Sequence, residues 1–165
     1  MPDTALIPEA AIPEAALRPG PQAAAEGQPA WETFVRALIE TLDAHMPPEE
    51  RALLLRAIGG RIAALSPLPP EATLSVLEAR MNERLAEPRW GQVALSLDPE
   101  GPALVLRHER LPVLPTPGDG EGGWILPVLE GLHGGWIAAQ PGAEPSVPAR
   151  LVSHGRGGAV LRYGA

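Results

Sequence analysis

The spacing of apolar residues changes near residue 90, and this change determines which fold class the chain can adopt. From Trp31 to Leu85, apolar residues recur every three to four positions, which is the period of helices with one buried face. From Val93 to Leu97, they occupy every second position, which is the period of a strand with one buried face. The chain is therefore predicted to combine helices, which come first, with a sheet.

Prolines divide the helical region into three helices. The first helix begins at Trp31 and has Phe34, Val35, Leu38, Ile39 and Leu42 on its apolar stripe. The second follows Pro47 and Pro48, where proline fixes φ and the next two acids face the positive end of the helix dipole; it ends at Ser66. The third has a similar start signal at residues 69–71 and ends before Pro88.

The remainder of the chain is predicted to form two hairpins separated by a helix. Residues 98–101 fit a type I turn between strands at 93–97 and 103–108. After a loop rich in proline and glycine, a nearly all-apolar helix begins at Ile125, and strands at 150–153 and 159–163 flank a glycine turn. The predicted fold class is α+β, with N-terminal helices and an antiparallel four-stranded sheet of two hairpins with a buried helix between them.

The first thirty residues differ in composition from the remainder. Residues 1–30 are mostly Ala, Pro, Glu, Gly and Gln, and they contain two successive copies of Ile-Pro-Glu-Ala-Ala, beginning at Ile7 and Ile12. Such a segment has too few apolar side chains to offset its ordering entropy, so we predict a flexible leader over 1–30 and a folded domain over 31–165. A docking segment with Ile7, Ile12 and Leu17 as anchors on a partner is the alternative.

Composition excludes several classes of chemistry. All 13 basic residues are arginine, so Schiff-base cofactors and the lysine of a P-loop are excluded. The chain has no cysteine, which excludes disulfides, thiolate catalysis and iron–sulfur clusters. A net charge of −7 argues against binding to nucleic acid or anionic lipid. With no signal peptide and no long apolar run, we expect a cytoplasmic protein without direct membrane insertion.

No motif predicts an active site, a cofactor or a metal. Glu130 and His133 have the i, i+3 spacing of di-iron bundles, but one such pair is too few, and a hydrogen bond on the helix face is expected instead. His45, His108 and His154 occur singly, and we expect structural roles for them. The glycine-rich run at 118–123 carries two carboxylates that would repel phosphate, so we predict a mobile surface loop.

One feature of the buried helix exceeds what a monomer's core needs. Gly131, Gly135 and Ala139 recur at every fourth position, and each glycine should cost about 1 kcal/mol relative to alanine. Such residues permit close approach of another backbone, either the chain's own sheet or a helix across a subunit interface. The second interpretation predicts an oligomer interface formed by Gly131, Gly135 and Ala139 with Leu132 and Trp136.

Three segments resemble one family in order and spacing. The most specific is WILPVLEGLHGGWIAAQPGA at 124–143, and RWGQVAL at 89–95 and LRHERLP at 106–112 lie upstream of it. With residues 53–64 of the second helix, they resemble the bacterial cellulose synthase operon protein D family over about residues 31–143.

This resemblance implies a non-catalytic accessory protein of bacterial cellulose synthesis. Family members form an octameric ring built from dimers, with passages for β-1,4-glucan, and they help to export and order the chains into crystalline cellulose. The resemblance also implies partners in the cellulose synthase complex, including a proline-rich operon partner. It places the passage near Gln28, Trp31 and Glu32, although Trp31 is also predicted to be the first core residue of its helix.

Two departures from the family pattern limit this transfer of roles. The leader of about thirty residues is an addition, and the family has an aromatic residue at the position of His133 and arginine at that of Gly135. A second hypothesis is a cytoplasmic scaffold that organises synthase complexes without contacting glucan. The residues that line any central opening would distinguish a conduit from a scaffold.

Overall fold

The computed structural model describes residues 31–144 and 146–164. The chain divides into two units, residues 1–31 and 32–165, and apart from Trp31 the helices and strands below belong to the second unit. The predicted leader lies outside the described residues. The elements are, in order, α1 (Trp31–His45), α2 (Pro48–Leu65), α3 (Leu74–Ala86), β1 (Gln92–Leu97), β2 (Ala103–Glu109), α4 (Ile125–Ala138), β3 (Ala149–Gly155) and β4 (Gly158–Gly164).

Local chemistry explains where the helices begin. Pro48 is the first residue of α2, and two acids follow it in the first turn. Thr73 caps α3 by accepting a hydrogen bond at Oγ1 from the Val76 amide, 3.4 Å away. Just before α4, Asp119 Oδ2 accepts a hydrogen bond from the Trp124 amide at 3.1 Å. The run at 118–123 thus contributes a capping carboxylate, which the prediction of a mobile loop missed.

The sheet confirms the predicted fold class. Its strand order is β1-β2-β4-β3, and each neighbouring pair is antiparallel. The two hairpins join through β2 and β4, where Leu106 pairs with Leu161 at the centre. Both leucines are fully buried, so the middle of the sheet is also the middle of the core.

Side chains of α3 cover the outer edge of β1. Asn82 donates from Nδ2 to the Val93 carbonyl oxygen and accepts from the Val93 amide, both at 2.8 Å. Glu78 Oε2 accepts from the Leu95 amide at 2.7 Å. An exposed strand edge offers unpaired backbone groups to other chains, and these contacts close most of that edge.

Helix α4 lies between α2 and the sheet and is apolar on nearly all sides. Leu129 and Leu132 are at most 1% exposed, and Val128 packs with Ile39 of α1 and Leu55 of α2 in a second buried cluster. This position explains why α4 lacks the polar face of a surface helix. Within the described residues, none of the helices has the length and apolar character needed to span a bilayer.

Candidate functional site

The backbones of α2 and α4 approach each other closely at two glycines. A Cβ atom at Gly59 would overlap the Val128 carbonyl oxygen, and one at Gly131 would overlap the Arg56 carbonyl oxygen. Each glycine therefore faces backbone of the opposite helix, and any side chain would force the helices apart. The close approach predicted from the glycine spacing occurs within the chain, between two helices.

The remaining residues of the predicted oligomer interface have different surroundings. A Cβ atom at Gly135 would lie 2.8 Å from the Ala63 Cβ, so Gly135 extends the same crossing. Leu132 and Trp136 are buried within the chain, whereas Ala139 follows the end of α4 and is only partly exposed or less according to its place beside the buried Ile137. Packing against α2 accounts for both glycines, and a role for these residues between subunits stays a prediction.

Glu130 joins α4 to two other elements. Its Oε2 accepts from Arg56 Nε on α2 at 2.9 Å, and its Oε1 accepts from the Leu151 amide of β3 at 2.8 Å. Glu130 is 8% exposed, so both contacts compensate for a largely buried carboxylate. The expected hydrogen bond on the helix face with His133 is absent from the described contacts, because the two side chains point to different elements.

His133 instead forms a buried pair with His108 of β2. His133 Nε2 lies 3.0 Å from His108 Nδ1, and His108 Nε2 lies 2.6 Å from the Trp90 carbonyl oxygen. Burial lowers the pKa of His108 below its usual range. Burial, with a smaller effect of His108, lowers the pKa of His133 from 6.5 to about 3. Both rings are therefore neutral at pH 7.

Sequence reasoning missed this pair because it placed His108 on a strand edge. β2 is an interior strand, and His108 follows Leu104 and Leu106 on the face that meets α4. His133 follows Leu129 by four residues, so both histidines stand at positions that the apolar pattern marks as buried. That signal was present in the sequence. His45 and His154 lie outside the core. No group of three or more potential metal ligands occurs among the described residues.

An open groove lies beside the histidine pair, between α2, the C-terminal end of α3 and α4. We call it the Trp90 groove; its volume is about 370 Å³, and its lining includes Ile62, Arg84, Leu85, Glu87, Trp90 and Trp136. The Trp136 Nε1 donates to the Ser66 carbonyl oxygen at 2.9 Å, which fixes the indole in the floor. No pattern in the sequence indicates this groove, because its walls come from segments far apart in the chain.

Comparison with known proteins identifies the family. The family of the D subunit of cellulose synthase matches residues 18–164. A cellulose synthase operon protein D of Komagataeibacter xylinus is 39% identical over 116 residues, covering 70% of this chain and 74% of the relative. Identity and coverage are the same for that of Komagataeibacter sucrofermentans, and a second K. xylinus protein is 36% identical over 118 residues, covering 72% and 76%.

The chain belongs to the cellulose synthase operon protein D family. The match includes every described element, from α1 to β4. The segment that carries the strongest family resemblance, 124–143, forms α4 and the turn after it. The segment 89–95 contributes Trp90 to the groove and then enters β1.

The first turn of α1 is where the family resemblance places the glucan passage. Trp31 is 63% exposed and Glu32 beside it is also exposed. The interpretation of Trp31 as the first core residue of its helix is therefore wrong; on this helix the core begins with the half-buried Val35 and the buried Ile39. Gln28, the third predicted passage residue, lies outside the described residues.

Proposed function

We propose that this protein is a non-catalytic accessory component that assembles from dimers into an octameric ring and helps to order and export β-1,4-glucan into crystalline cellulose. It acts in the cytoplasm with the cellulose synthase complex, and a proline-rich operon protein is a further partner. Family membership supports the role in cellulose synthesis. The contact with glucan is supported by one observation, the exposure of Trp31.

An exposed indole is suited to a sugar chain. Trp31 offers an apolar aromatic face that can pack on the C–H face of a pyranose, and Glu32 offers carboxylate oxygens that accept hydrogen bonds from hydroxyl groups. Trp136, by contrast, is 3% exposed and serves the core. The two tryptophans therefore differ in what they can contact, and of this pair only Trp31 exposes enough ring surface for a passing chain.

A scaffold without glucan contact is the second candidate. Leu53 and Leu65 of α2 are 62% and 69% exposed, and outward apolar side chains of this size suit contacts with other proteins. A conduit depends on the groups that face its passage, whereas a scaffold depends only on its outer surfaces. Substitutions at these two places separate the hypotheses.

The test compares cells that lack the gene with cells that carry variants. In membranes of the deletion strain we expect normal glucosyl transfer, together with less cellulose or cellulose of lower diffraction order. The variant Trp31→Ala/Glu32→Gln should fail to restore order while retaining the assembly mass, and Leu65→Ala is the matched control with an exposed apolar residue on another helix.

Each outcome has a definite meaning. Lost glucosyl transfer with normal amounts of the catalytic subunit would refute the accessory role. Full rescue by the Trp31 and Glu32 variant, with failure of the Leu65 control, would favour the scaffold. Light scattering after size exclusion should give eight times the 17.3 kDa chain mass, and a monomer at micromolar concentration would refute the ring.

A further inference from the structure

The Trp90 groove combines an apolar floor with a charged rim. Leu85, Trp90 and Trp136 supply apolar surface, and Arg84 and Glu87 stand at the rim, three residues apart at the end of α3. Within the described part of the chain, neither of these charged side chains forms a hydrogen bond or an ion pair. The groove thus presents an unused donor and an unused acceptor above an apolar surface.

This arrangement discriminates between classes of ligand. Glu87 repels an anion and Arg84 repels a cation, so a charged ligand gains little from this rim. A purely apolar ligand would cover both charges without satisfying them, which is unfavourable. A neutral ligand with many hydroxyl groups fits both, because each hydroxyl can accept from a guanidinium and donate to a carboxylate.

The floor is also held in place before any ligand binds. The Trp90 amide donates to the Leu85 carbonyl oxygen at 2.9 Å, and the Trp90 carbonyl oxygen accepts from His108 at 2.6 Å. Trp136 is fixed through its bond to Ser66. Preorganised walls reduce the ordering cost of binding, and a volume of about 370 Å³ lies within the range of small-molecule sites.

We infer that the Trp90 groove is a second glucan-binding site, which holds a short stretch of a β-1,4-glucan chain away from the passage at Trp31. The apolar C–H faces of the sugar rings would contact Trp90 and the floor, and ring hydroxyls would bond to Arg84 and Glu87. This inference rests on the proposed function, because it takes the same polymer as ligand.

Calorimetric titration of the full-length protein with cellotetraose tests the site. We expect Arg84→Gln and Glu87→Gln each to raise the Kd about tenfold, the effect of losing one hydrogen bond to a charged group. Arg61→Gln, which changes an exposed arginine of α2, is the matched control and should bind as the wild type does. Circular dichroism should show that all three variants remain folded.

Three results would overturn the inference. Wild-type protein that does not bind cellotetraose at millimolar concentration would do so, as would loss of binding in Trp31→Ala/Glu32→Gln with unchanged binding in the Arg84 and Glu87 variants. A changed assembly mass in those rim variants, with unchanged sugar binding, would assign the groove to a second copy of the chain. In all three cases the octamer and the cellulose phenotype test the proposed function separately.

Discussion

His108 and His133 form a hydrogen bond with a defined direction. The Trp90 carbonyl oxygen can only accept, so His108 Nε2 carries a proton and, in the neutral ring, His108 Nδ1 is the acceptor for His133 Nε2–H. His133 Nδ1 is then a buried acceptor with no partner among the described residues. A second proton on either ring would place a charge in the core.

The histidine pair predicts destabilisation in acid. Burial sets the folded-state pKa of His133 at about 3, below its unfolded value of 6.5, so the unfolded state binds more protons between these values. Stability is unaffected by this group above pH 6.5 and falls below it, by about 1.4 kcal/mol per pH unit from His133 alone. Urea unfolding at about pH 8 and about pH 5, on either side of the unfolded-state pKa, measures the loss.

Variants assign that loss to the pair. His133→Gln retains a side-chain donor and removes the titration, so its stability should change less with pH than that of the wild type. His154→Gln alters an exposed histidine and should leave the pH dependence unchanged. Equal pH dependence in His133→Gln and the wild type would show that other groups cause the acid loss.

Two adjacent glycines of α2 predict opposite effects of alanine. Gly59→Ala should destabilise the fold by about 3 kcal/mol, because the new Cβ would overlap the Val128 carbonyl oxygen. At Gly60 the nearest atom would be 3.9 Å away, so Gly60→Ala should stabilise by up to about 1 kcal/mol through helix propensity. Thermal melting of both variants tests the helix crossing, which equal melting temperatures would contradict.

Glu130 predicts a large effect for one of two arginine–glutamate pairs. Glu130→Ala leaves Arg56 without its partner and the Leu151 amide without an acceptor, and should cost about 2 kcal/mol. The exposed pair of Arg80 and Glu83 is the control, and Glu83→Ala should change stability by less than about 0.5 kcal/mol. Urea unfolding of both variants gives the comparison; similar losses would mean that burial of Glu130 has little influence.

Asn82 predicts a link between stability and association at the β1 edge. Asn82→Leu removes both hydrogen bonds to Val93 and should cost about 1–2 kcal/mol while freeing part of the edge for pairing with other chains. Ser75→Leu, an exposed position on the same helix, is the control. Light scattering at rising concentration should show extra association for Asn82→Leu alone, and equal behaviour of both variants would refute edge protection.

Local patterns in the sequence determined most of the secondary structure. The helical period, the prolines before α2 and α3, and the turn at 98–101 each depend on residues close in the chain, and each element formed where they predict. The all-apolar sequence of α4 also indicated a buried helix. Family membership came from the sequence as well, through segments that are contiguous in the chain.

The tertiary structure decided which surfaces meet. The glycine spacing of α4 indicated a close contact but not whether α2, the sheet or another subunit makes it, and the pairing of His108 with His133 depends on which strand is central. Trp31 fits its helix stripe, yet it lies outside the core, and the Trp90 groove exists only where α2, α3 and α4 converge. The physical reason is that burial of apolar surface is non-directional: a periodic pattern indicates which side chains leave water, whereas packing alone determines the neighbours they contact.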